Sequence, residues 1–151
     1  MIFFIEKGVL LVTMGRIVAI DYGEKRTGFA ISDPLKMIVS SFVTVLSRKA
    51  VMYLKNCTEN YDIELFVLGE PRQMDYTPSE NMPRVEKFKR NLRRVIPSID
   101  VQMVDERFTS VLAHRIMIEG GVKKIKRQDK GLVDRLSAAI LLQTYLEFLR
   151  K

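Results

Sequence analysis

The run Ile17-Val18-Ala19-Ile20 is apolar at every position and ends on Asp21. A strand with one wet face alternates apolar and polar residues, so an unbroken run is the pattern of a strand covered on both faces. It predicts a central strand from Arg16 to Asp21, with further layers packed on either side. Tyr22 to Arg26 reads as a turn, because Gly23 is free to take a positive φ. Thr27 to Ser32 alternates loosely through Gly28, Phe29, Ala30 and Ile31 and reads as the hairpin partner, ended by Asp33-Pro34. A third strand lies within Val39 to Leu46, where Val, Phe and Thr favour extended backbone.

Beyond this hairpin the pattern alternates. Ser47 is suited to cap a helix reaching about Asn60, with Val51, Leu54 and Cys57 inward. Ile63 to Leu68 reads as a short buried strand, ended by Gly69-Glu70-Pro71, and Arg72 to Ser79 as a loop. Ser79 or Glu80 opens a helix with Met82, Val85, Phe88, Leu92 and Val95 at helical spacing, and Pro97 stops it. Val101 to Val104 is the next strand. Thr109 or Ser110 caps a helix ending at Gly120-Gly121, Val122 to Lys130 is a basic loop, and Gly131 to Arg150 is the last helix. The order β-β-β-α-β-α-β-α-α predicts an α/β fold, a mixed sheet with helices on its faces. The 151 residues fit one domain. Met14-Gly15-Arg16 begins it cleanly, so residues 1–13 are expected to be an N-terminal extension upstream of the natural start, or an added edge segment, and residues 14–151 the functional domain.

Composition removes several chemistries. One cysteine (Cys57) excludes an internal disulfide and a Cys-rich zinc site, and one histidine (His114) excludes a multi-His metal site. No apolar stretch approaches the length of a membrane span, and the order of charge and apolar residues at the N-terminus is wrong for an export signal, so a cytoplasmic protein is expected. The formal net charge of +7 favours a polyanionic partner.

Acids recur where a regular element meets a turn. Asp21 ends the first strand, Glu70 stands in L-G-E-P at another strand end, Asp105-Glu106 follows the run to Val104, and Asp134 falls in the first turn of the last helix. Each has a plainer explanation as a turn residue or as an acid favouring a helix dipole. Asp134 is followed at four, seven and eleven residues by Ala138, Leu141 and Tyr145, which should share its face. An acid on an apolar stripe is costly unless paired or bound to metal. Taken jointly, strand ends of one sheet converge, and an oxygen-rich cluster without His or Cys suits Mg²⁺ or Mn²⁺. Two such ions about 4 Å apart would activate a water and stabilise the leaving oxygen of a phosphodiester. Thr109 and Ser110 offer hydroxyl and backbone N–H groups to an anion. Lys25, Arg26 and Arg107 are candidates for scissile-phosphate contacts. Lys123, Lys124, Lys126, Arg127 and Lys130 read as a nucleic-acid-binding loop, whereas Arg84, Lys87, Lys89, Arg90, Arg93 and Arg94 read as the solvated face of a helix.

Three segments, D-Y-G-E-K-R-T-G-F-A-I-S-D, V-D-E-R-F-T-S and K-G-L-V-D-R-L-S-A-A-I-L-L-Q-T-Y-L, together resemble the YqgF/RuvX family, also called Holliday-junction-resolvase-like or pre-16S rRNA nucleases. The resemblance runs from Gly15 to about Phe148. It implies an RNase H-like fold with a central mixed five-stranded sheet. It also implies a metal-dependent nuclease that matures the 5′ end of precursor 16S rRNA, alone or on ribosomal particles. Asp21, Glu106 and Asp134 match the family's acidic positions and inherit the catalytic role. Gly69-Glu70-Pro71 departs from a G-L-P pattern found in many relatives, which makes Glu70 an additional candidate ligand. A resolvase acting as a homodimer on branched DNA would use the same chemistry, and a non-catalytic rRNA-binding factor would keep the acids as structural ligands.

Overall fold

A computed structural model describes residues 3–6, 9–12, 14–71, 79–106, 118–119 and 130–150. Strands β1 (Phe3–Glu6) and β2 (Val9–Val12) form an antiparallel pair of their own, separate from the main sheet. The five strands that follow are β3 (Arg16–Tyr22), β4 (Arg26–Ser32), β5 (Val39–Leu46), β6 (Ile63–Glu70) and β7 (Asp100–Asp105). They form one mixed sheet in the order β5-β4-β3-β6-β7, with β4 antiparallel to β3 and β5 antiparallel to β4. Strands β3, β6 and β7 run parallel, so their C-terminal ends share one edge. The apolar run is thus the middle strand, and Ile17, Val18, Ala19 and Ile20 are all buried.

Helix α1 (Ala50–Asn60) connects β5 to β6, and α2 (Met82–Val95) connects β6 to β7. Both cover one face. Val18, Ile20, Phe29, Phe66 and Leu68 pack there with Leu54 and Cys57 of α1 and Val85, Phe88 and Leu92 of α2. The alternate residues Ile17, Ala19, Ala30 and Val67 pack on the other face against α3 (Lys130–Leu149), through Ala138, Leu141, Leu142, Tyr145 and Leu146. The expected sharing of a stripe by Ala138, Leu141 and Tyr145 holds, since all three are buried on that face.

Two details differ from the sequence pattern. Ser47 is not a helix cap. A 3₁₀ turn spans Ser47–Lys49 before α1 starts, and the Ser47 hydroxyl donates to the Gly23 carbonyl (2.6 Å) and bonds with Thr27 Oγ1 (2.8 Å). It ties the β3–β4 turn to the helical layer, a stronger demand on a buried hydroxyl than one exposed amide. Helix α2 starts at Met82 with Pro83 in its first turn, later than Ser79 or Glu80. The expected helix from Thr109 or Ser110 to Gly120 falls largely outside the described residues.

Candidate active site

Period-2 alternation along β3 puts Asp21 on the face of Ile17 and Ala19, the α3 side, at the end of the strand. On β6 the same face carries Val67 and then Gly69; on β7 it carries Val104, with Glu106 two residues further on. Register brings the three ends level. Ile20 pairs with Leu68 and Gly69 with Val104, and the Glu106 amide donates to the Glu70 carbonyl at 3.2 Å. The Glu106 side chain lies back over Gly69, where a Cβ would overlap its carboxylate oxygen. Because Gly69 has no side chain, Glu106 reaches across β6 and its carboxyl hydrogen-bonds with that of Asp21.

Two carboxyl groups cannot share a hydrogen bond while both are ionised. Removal from solvent pushes the Glu106 pKa up, and the Asp21 charge, the Asp21 hydrogen bond and the Asp105 charge push it further, well above the usual carboxylate range. The pair therefore holds either a proton or a cation between its oxygens.

Glu70 is a further acid at this sheet edge. It lies one residue past Gly69, on the opposite face with Phe66 and Leu68, level with Asp105. Among the described residues no three His, Cys, Asp or Glu side chains form a group that could hold a metal. Arg26 stands on the face of Asp21, since Gly28 is Asp21's cross-strand partner and Arg26 is two residues before it. Lys25 is exposed in the turn. Asp134 and Lys130 lie on α3, but their side chains are outside the described residues, as are Arg107, Thr109, Ser110, Lys123, Lys124, Lys126 and Arg127. The direction of α3 is clear. Tyr145 Oη donates to Gln102 Oε1 at 2.8 Å, and Arg150 donates to the Met37 carbonyl at 2.9 Å beyond the start of β3. The helix therefore runs antiparallel to β3, and its first turns lie toward the edge of Asp21.

Sequence reasoning missed the part played by Gly69. The signal was a glycine at the end of an apolar run, where the missing side chain leaves room for a neighbouring group.

The profile of the RuvX family, described as Holliday junction resolvase, matches residues 15–148. A protein of Parabacteroides distasonis named "Putative pre-16S rRNA nuclease" is 58% identical over 134 residues, covering 89% of this chain and 96% of its own length. One of the same name from Bacteroides fragilis is 49% identical over 134 residues, 89% of this chain and 97% of its own. Among solved structures, T. thermophilus RuvC in complex with a Holliday junction substrate resembles the chain with a TM-score of 0.55 at 13% identity, over 89% of this chain and 96% of that one. The fold is RNase H-like, as the motifs implied.

Proposed function

The chain belongs to the RuvX family, and on that premise we propose that it is a hydrolase that cuts phosphodiester bonds of precursor 16S rRNA at the 5′ end, with Asp21, Glu106 and Asp134 as its acidic site. The observation that carries the proposal is the pairing of Asp21 and Glu106 over Gly69 at the edge where β3, β6 and β7 end. A like-charge pair without His or Cys fits an oxygen-seeking divalent cation, Mg²⁺ or Mn²⁺, better than any soft metal. Asp134 is the third candidate ligand, because its position precedes the buried Ala138, Leu141 and Tyr145 at helical spacing. Glu70, on the opposite face, is left out of the set.

When bound, divalent ions supply activation of a water and stabilisation of the leaving oxygen. The chain's own part is positioning. Asp21 and Glu106 present oxygens from the ends of β3 and β7, whose levels are fixed by register through β6. Arg26, on the same face, neutralises a phosphate oxygen, and Lys25 meets the backbone as it crosses the turn. The basic residues Lys123, Lys124, Lys126, Arg127 and Lys130, with Arg107, Thr109 and Ser110, hold the RNA. Such a substrate implies a cytoplasmic protein, and among the described residues no helix is long and apolar enough to cross a membrane.

The test is cleavage of an RNA carrying the 5′ end of precursor 16S rRNA, with Mg²⁺ or Mn²⁺, by wild type, Asp21→Asn and Asp134→Asn. Both variants are expected to be inactive. Equal activity in all three would remove the assigned site, and faster cutting of a four-way DNA junction than of the RNA would move the substrate to branched DNA.

A further inference from the structure

Helix α2 carries six cations and one acid, Glu86. On the sequence alone this reads as a solvated face, but a solvated helix mixes both signs, and like charges at helical spacing destabilise it. The structure separates them. Val85, Phe88 and Leu92 are buried against the sheet. Arg84, Lys87, Arg90 and Arg94 lie along one flank, and with Arg48 from the turn before α1 they line a groove of about 800 Å³ whose walls contain no Asp or Glu. All five are exposed. Glu86 is not among the residues that line the groove. Arg84 pairs with Glu24 at 3.6 Å, a contact exposed on both sides and weak for that reason. By contrast, the cavity on the far flank of α1 mixes Lys49 and Lys55 with Glu59.

The groove begins beside the cut site. Its inner end is Tyr22, the residue after Asp21, whose ring stacks on Phe88 with centroids 4.4 Å apart. The Asn81 side chain donates to the Tyr22 carbonyl at 2.8 Å and fixes the start of α2 against the end of β3. From there the cations of α2 extend over about 15 Å of helix axis, on the sheet face opposite Asp21. A strand lying over Asp21 and Glu106 and crossing the β3–β4 turn enters this groove.

We infer that the groove between α1 and α2 is a second RNA-binding tract, which holds the phosphate backbone of the segment flanking the scissile bond. The inference rests on the nuclease reading for its ligand. Arginines and lysines with no acid among them suit phosphates, which position a nucleic acid without reading its sequence. A protein partner would require an apolar centre in the groove, and of its apolar residues Phe88 is buried in the core while Tyr22 and Val51 are half-buried against it.

The experiment compares Lys87→Ala/Arg90→Ala/Arg94→Ala with a control of equal charge change outside the groove, Lys49→Ala/Lys55→Ala/Lys89→Ala. Binding of a fluorescent 5′-precursor RNA is followed by anisotropy between 50 and 200 mM salt, alongside cleavage. Each phosphate contact contributes about 0.7 to the salt slope on a single strand, so the groove variant should lose roughly 2 from the slope and roughly 20-fold of the low-salt advantage. The control should track wild type. The groove substitutions should cost the same binding in Asp21→Asn as in wild type, which separates the two ideas: binding that depends on the groove without any cleavage by wild type overturns the nuclease reading alone. Unchanged binding by the groove variant, or equal loss in the control, overturns the tract, as does a wild type that binds no RNA at 50 mM salt. A circular-dichroism melt matching wild type establishes that the variants fold.

Discussion

Where β3 begins, Lys36 Nζ and Glu64 Oε1 close to 3.2 Å; where β3 ends, the carboxyls of Asp21 and Glu106 face each other. The first end is compensated throughout. Lys36 is buried although its backbone takes a left-handed φ of 58°, a conformation that surrounding contacts must hold. Asp33 accepts from the amides of Met37 (2.7 Å) and Ile38 (2.9 Å). Burial would raise its pKa, but the Ile38 and Met37 hydrogen bonds outweigh it and the net shift is downward. Arg16 donates to the Ser32 carbonyl and lies 4.8 Å from the Tyr61 ring centroid. The same sheet thus pairs opposite charges at one end and brings two like acids together at the other. Strain of that kind persists at functional sites because the rest of the fold supports it.

The largest effect expected on this contrast is at the strained end. Asp21→Asn and Glu106→Gln should each slow single-turnover cleavage by about 1000-fold, roughly 4 kcal/mol of transition-state stabilisation. Their melting temperatures should not fall. If cleavage survived and stability dropped instead, the strained end would be structural and the contrast would collapse.

Gly69→Ala is the next test. The added methyl overlaps the Glu106 carboxyl and must displace it. A shift of about 1 Å in a catalytic group can lower the rate about 100-fold. A variant that melts like wild type and cleaves at the wild-type rate would show that the Glu106 position does not set the chemistry.

At the compensated end the signs reverse. Lys36→Met removes a buried charge from a pair whose partner, Glu64, is still about a third exposed. Full burial of both partners would lead to a loss of 3–5 kcal/mol, so a loss of about 2 kcal/mol is expected here, read as a lower denaturation midpoint. The cleavage rate should not change. A slower variant with unchanged stability would mean the two ends are coupled through β3.

Much of this arrangement could be read in the residues. The unbroken apolar run marked β3 as central, and the spacing of Met82, Val85, Phe88 and Leu92 marked the buried stripe of α2. Asp21 and Glu106 were legible as strand-end acids. Their contact was not, because it depends on register between β3 and β7, strands separated by β6, and on Gly69 leaving space between them. Glu70 looked equivalent to Glu106 because a strand end does not declare its face; alternation from Phe66 and Leu68 does, once the sheet is known. The groove cations of α2 read as solvated and are exposed, but their grouping into one tract was not legible. Their grouping depends on Arg48, which the sequence puts on another element.

The smallest expected effect tests the charge conflict directly. In the metal-free protein the folded state keeps a proton on Glu106 at pH values where the unfolded chain has released it, above the ordinary glutamate value of 4.5. The folded state then binds more protons than the unfolded one, and stability must fall as pH rises through that window. Between about pH 6 and about pH 8.5 most other carboxylates no longer titrate, and groups that do, His114 among them, are common to wild type and Asp21→Asn, so the difference between their slopes isolates this pair. Asp21→Asn removes the like charge. It should flatten the slope and gain about 1 kcal/mol at the upper end. On the proposed role, a divalent ion should act in the same direction on wild type by binding the folded state only, with a stabilisation larger at high pH than at low. It should have little effect on Asp21→Asn. Parallel melting curves for wild type and variant across this range would mean that the two carboxyls do not oppose each other, and that the two ends of the sheet handle charge alike.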